Sequence, residues 1–185
     1  MKKIISVFFA LFLCMAASAQ QHMKFMGIPL DGSIDNFTLK LKAKGVTYDA
    51  AESKSADAGT RIFHGKFMGE KAKFVVFYNY KSKIVFSAAV ELNYPTVESA
   101  HTPFVNLNDQ LKQKYPDATC KEYTGPDGDV DGLAIEIFDE AGENMIGFIL
   151  QTLKAPSSGY GISIYLTYTD SDNFMKSEKI LGEDL

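Results

Sequence analysis

The chain has 185 residues, 19 of them basic and 23 acidic, and a formal charge of −4. That length suits one domain or two small fused halves with a proper core. The acidic balance argues against a nucleic-acid binder, which needs a concentrated basic face.

Met1-Lys2-Lys3 reads as a basic n-region, Ile4–Leu13 as a ten-residue apolar core, and Ala17-Ser18-Ala19 as an A-x-A cleavage site. Residues 1–19 are therefore expected to be a signal peptide, leaving a secreted or periplasmic chain that begins at Gln20. Ten apolar residues fall short of the roughly 20 that span a bilayer, so no retained transmembrane anchor is expected. Cys14 raises acylation as a lipoprotein, but bulky Leu13 before it and the downstream A-x-A argue against that. Cleavage removes two lysines and no acid, taking the charge from −4 to −6. It also leaves Cys120 as the only cysteine, so no intrachain disulfide is possible, and such a thiol is expected to be a buried small hydrophobe.

In chain order, Gln20–Lys24 reads as loose, and Gly27–Ser33 as a cluster of turn and cap residues. Ser33 or Asp31 caps a helix in which Ile34, Phe37 and Leu41 recur at helical spacing, with lysines on its other side and Gly45 as the stop. Val46–Tyr48 reads as a short strand, Asp49–Thr60 as a polar loop, and Arg61–Met68 as a strand with Phe63, Gly65 and Phe67 on one side. Gly69-Glu70 turns the chain into the central hairpin, Lys71–Tyr94, with a two-residue turn at Lys81-Ser82. Its arms alternate with period two: Phe74, Val76, Tyr78 and Tyr80 share a face, and Ile84, Phe86, Ala88, Val90 and Leu92 share one, with Val85, Ser87, Ala89, Glu91 and Asn93 opposite. Val97, Ala100, Phe104, Leu107 and Leu111 form a helical stripe after Pro95, with Thr102 and Pro103 expected to restart the helix. Thr119–Tyr123 reads as a short strand and Gly125–Gly132 as a turn. Leu133–Asp139 and Asn144–Leu153 make another hairpin, Tyr160–Thr169 is a clear strand, and the tail from Asp170 carries caps for a short helix.

The order of one helix, a short strand and three longer strands occurs twice. Ile34, Phe37 and Leu41 fall on Phe104, Leu107 and Leu111 at an offset of 70. The layout predicted is α+β, with tandem helix-plus-antiparallel-sheet units packed in two layers, residues 20–95 and 96–185. This arrangement resembles the β-lactamase inhibitory protein fold, PepSY-like periplasmic proteins and small outer-membrane assembly lipoproteins over about Gly27–Thr169. The opening FMGIPLDGSIDNF, with Phe63–Lys71 (FHGKFMGEK), also looks like a family of small secreted proteins of Gram-negative gut commensals of unassigned function. The inhibitor resemblance implies a sheet face that grips a partner. A single curved sheet of the NTF2 or cystatin kind is the alternative fold.

The sharpest chemical motif is Asp127-Gly128-Asp129-Val130-Asp131-Gly132. Asp127, Asp129 and Asp131 on a Gly turn would suit calcium, although the twelfth loop position holds Phe138 where an EF-hand needs Glu. The bland reading is a solvated hairpin turn. His22, His64 and His101 have no metal-binding spacing, and neither a nucleophile motif nor a phosphate loop is present. The chain reads as no enzyme and as needing no cofactor, calcium apart. What remains is a binding surface. Tyrosines flank the strands, and Tyr165 alternates with Ile164 and Leu166, so it faces away from their core with Ser163 and Thr167; Glu136 joins them on the sheet. The function expected is non-catalytic binding of a protein or cell-envelope partner through this face, the alternatives being a calcium-dependent module or a small-ligand carrier.

Overall fold

The computed structural model describes residues 22–124, 130–157 and 159–182. The elements are β1 (Lys24–Phe25), β2 (Ile28–Pro29), α1 (Ile34–Ala43), β3 (Thr47–Asp49), α2 (Ala50–Ser55), β4 (Thr60–Phe67), β5 (Glu70–Tyr78) and β6 (Val85–Tyr94), followed by α3 (Val97–Lys114), β7 (Thr119–Thr124), β8 (Val130–Phe138), β9 (Met145–Lys154), β10 (Ile162–Asp170) and α4 (Ser171–Gly182). The chain is thus α+β. Eight strands form one antiparallel sheet in the order β3-β4-β5-β6-β10-β9-β8-β7, and β1 and β2 form a separate ribbon. Among the described residues no helix is long and apolar enough to cross a membrane. The signal-peptide reading lies outside the described residues.

Period-two alternation sorts the sheet into two faces. On the inner face Phe63 pairs with Phe74, Phe74 with Val90, and Val90 with Leu166. Ile34, Phe37 and Leu41 of α1 and Phe104, Leu107 and Leu111 of α3 share one buried cluster with them. Each such side chain contributes about 1.5–3 kcal/mol by leaving water. Phe25 of the ribbon meets Phe74 and Tyr168 edge-on. Gln151 is fully buried on this face, and its amide donates to the Phe104 carbonyl at 2.8 Å, tying β9 to α3.

The central hairpin departs from a two-residue turn at Lys81-Ser82. That turn would set Val76 opposite Ser87. Instead Val76 pairs with Ala88 and Phe74 with Val90, and a bulge follows between Phe77 and Tyr78. The connection runs over 79–84, where Asn79 Oδ1 accepts from the backbone N–H of Lys81 and of Ser82, each at 2.9 Å. The extra residue keeps Val76 and Ala88 on the buried face; a one-residue slip would exchange the faces of a whole arm. The β4–β5 turn is Met68-Gly69 rather than Gly69-Glu70. Both residues have positive φ (53° and 87°), as a tight hairpin matching strand twist requires.

Other expectations change too. Part of the polar stretch Asp49–Thr60 is helical, as α2, with Asp49 as its N-cap. Pro103 does not restart α3, which is continuous from a capping box at Thr96 and Ser99. Its unbroken stripe on the core outweighs the hydrogen bond that proline removes. Cys120 is exposed because β7 is the sheet edge and exposed throughout. The segment before β1 is held rather than loose. Asp170, 1% exposed, accepts from His22 Nδ1 and the Met23 N–H at 2.9 Å, and from the Asn173 N–H at 3.0 Å. One carboxylate therefore anchors the first described residues and caps α4. α4 then touches β6, β9 and β10; Phe174 packs on Phe86, and Asn79 donates to Ser177.

Candidate functional site

The sheet face away from α1 and α3 carries the site. Strand register arranges its side chains in rows across the sheet. One row runs His64, Lys73, Glu91, Tyr165, Thr152. The next runs Ile62, Val75, Ala89, Thr167, Leu150, Ala134. A polar row thus lies against an apolar one, with Val75, Thr167, Leu150 and Ala134 half-buried.

The polar row centres on Glu91, which is only 2% exposed. A buried carboxylate needs several donors, and Glu91 has them. Ser157 gives its N–H at 3.0 Å and its hydroxyl at 2.8 Å, and Ser163 gives its hydroxyl at 3.3 Å. The loop after β9 is thereby pinned to the middle of the sheet. Burial first, then the charge of Glu91 and a hydrogen bond to it, push the neighbouring Tyr165 phenol above its ordinary value.

At the β4 margin, α2 hangs beside the same face. Asp49 Oδ1 accepts from the Glu52 N–H at 2.8 Å, which places Glu52 over His64. Glu52 Oε1 lies 3.2 Å and Asp49 Oδ2 lies 3.5 Å from His64 Nε2, and Glu52 Oε2 pairs with Lys73 Nζ at 2.8 Å. The Lys73 hydrogen bond is the main cause holding the Glu52 carboxyl below its ordinary value. An open basin of about 740 Å³ is lined by Glu52, His64, Lys71, Lys73, Asn93 and Ser157.

No family model, curated protein or solved structure matches this chain.

Tyr165 and Thr167 lie half-buried on the outer face, as expected for β10. Glu136 is on the same face two strands away, paired with Lys121 at 2.8 Å. Ser163 is fully buried, its hydroxyl engaged by Glu91 and Asn93, so it supports the face from beneath rather than offering a contact. Asp131 is exposed on β8, while Asp127 and Asp129 lie outside the described residues. Among the other tyrosines, Tyr168 is buried in the core and Tyr123 is exposed on β7. His101 is exposed on α3. Asp49 and Glu52 carry no sequence signal of a site because the polar stretch Asp49–Thr60 reads as loop, and Lys73 carries none because it reads as one more polar position of the hairpin. Its D-A-A-E spacing, a cap residue followed by Glu three positions on, was the available signal.

Proposed function

We propose that this chain is an exported, non-catalytic binding protein that docks a partner protein of the cell envelope through the outer sheet face. The observation that carries this is the paired rows. A half-buried apolar strip with Val75, Thr167 and Leu150 at its middle lies beside Tyr165 and is flanked by the charged side chains Lys73 and Glu136. An apolar centre with an aromatic anchor and a polar rim is the anatomy of protein interfaces. The export half of the reading rests on the basic, apolar and A-x-A pattern of residues 1–19.

The same proposal takes the chain as two α+β units, 20–95 and 96–185, laid out as in the β-lactamase inhibitory protein fold. Strand order supports it. Outward from the central β6–β10 pair the sheet reads 6-5-4-3 on one side and 10-9-8-7 on the other. One long helix precedes each set, α1 before β3 and α3 before β7. Fold likeness alone would not carry the function, which rests on the face itself.

The test immobilises the chain from Gln20 and exposes it to envelope extract. Wild type is expected to retain one protein at fixed ratio, and Leu150→Glu, with an unchanged melting temperature, to lose it. Equal capture by both proteins would remove the outer face from the account.

A further inference from the structure

The β4 margin carries a second chemistry. His64 Nε2, Asp49 Oδ2 and Glu52 Oε1 lie within 4.8 Å of one another. The remaining carboxylate oxygens are occupied, Asp49 Oδ1 by the Glu52 N–H and Glu52 Oε2 by Lys73, each at 2.8 Å. Each carboxylate is therefore anchored through one oxygen and turns the other toward the imidazole. Outer hydrogen bonds of this kind are what orient metal ligands.

The distances are informative. Zinc bonds of about 2.0–2.2 Å at tetrahedral angles place neighbouring donor atoms about 3.3–3.6 Å apart. The Glu52–His64 and Asp49–His64 separations are 3.2 and 3.5 Å. Two edges of a coordination tetrahedron are thus close to their required lengths, and the third, between Asp49 Oδ2 and Glu52 Oε1, lies within 4.8 Å. One imidazole with two carboxylates suits zinc-class ions better than calcium or magnesium, which take oxygen ligands. The frame is fixed by β-pairing: Thr47 pairs with His64, and Asp49 with Ile62. The His64 side chain is 45% exposed, leaving an approach from solvent.

We propose that Asp49, Glu52 and His64 form a divalent metal site of the zinc class, with its fourth position open to solvent. The site is distinct from the D-x-D-x-D-G turn and does not depend on the docking function of the outer face.

The test is calorimetric titration of zinc chloride into the metal-stripped chain from Gln20. It carries Cys120→Ser, because the exposed thiol would otherwise compete for zinc. One saturable site per chain is expected. His64→Ala and Glu52→Gln should each weaken it at least tenfold, and His101→Ala, a change on exposed α3, should leave it unaltered. Cobalt(II) loaded into the same protein should give the intense visible bands of a tetrahedral centre. Absence of saturable heat, or equal affinity in wild type and a folded His64→Ala, overturns the proposal. Should that variant not fold, the cobalt spectrum of the wild-type site decides, and weak octahedral bands overturn it.

Discussion

Glu52 divides its carboxylate between Lys73 and His64, and the Lys73 bond is the larger reason its carboxyl titrates below the ordinary 4.5. A depressed carboxyl contributes stability above its unfolded value and loses it as pH falls through the folded value. The prediction is that Glu52 stays ionised below pH 4.5 in carboxyl-carbon NMR and returns toward 4.5 in Lys73→Met. The contribution to stability is small because the Glu52 side chain is 42% exposed and water screens the pair. Asp170 is the contrasting case, a buried carboxylate with three donors. Asp170→Ala strands those donors and uncaps α4, and is expected to cost about 2–4 kcal/mol in urea denaturation.

At the scale of elements, α3 carries a testable anomaly. Pro103 sits inside a continuous helix. An internal proline forfeits a backbone bond and crowds the preceding turn. Pro103→Ala is expected to raise stability by about 1–3 kcal/mol, read as a higher urea midpoint at unchanged slope; a loss would mean that the ring itself is needed for packing. The stripe from Ala100 to Leu111 made this helix legible, and Ser33 with Gly45 did the same for α1, because amphipathic period and caps are local signals. The face assignments of β5 and of Ala88, Val90 and Leu92 in β6 were legible for the same reason; Val85, expected on the opposite face, is instead buried in the core, where the bulge pairs it with Tyr78. The bulge after Phe77 was not legible, since it answers to packing across the hairpin rather than to the turn residues. Nor was α2, whose residues bury no apolar face and whose form rests on the Asp49 cap. The Asp49–Glu52–His64–Lys73 constellation was hidden with it, as it depends on strand pairing between residues far apart in sequence.

At the scale of the molecule, β6 and β10 lie at the centre of the sheet, and Leu166 sits on their inner face opposite Val90. Leu166→Ala is expected to cost about 2–5 kcal/mol. Circular dichroism and tyrosine fluorescence should then report one coincident transition, because every strand set outward from that pair leans on it; two separated transitions would contradict a shared core. The outer face is the proposed docking surface. Its most direct test places a photoreactive phenylalanine at Tyr165 or, on the outside of α1, at Lys40, in the intact producing cell. A single defined adduct is expected from position 165 and none from position 40. Adducts of equal kind and yield from both positions, or none from 165 while the protein is folded and exported, would contradict it.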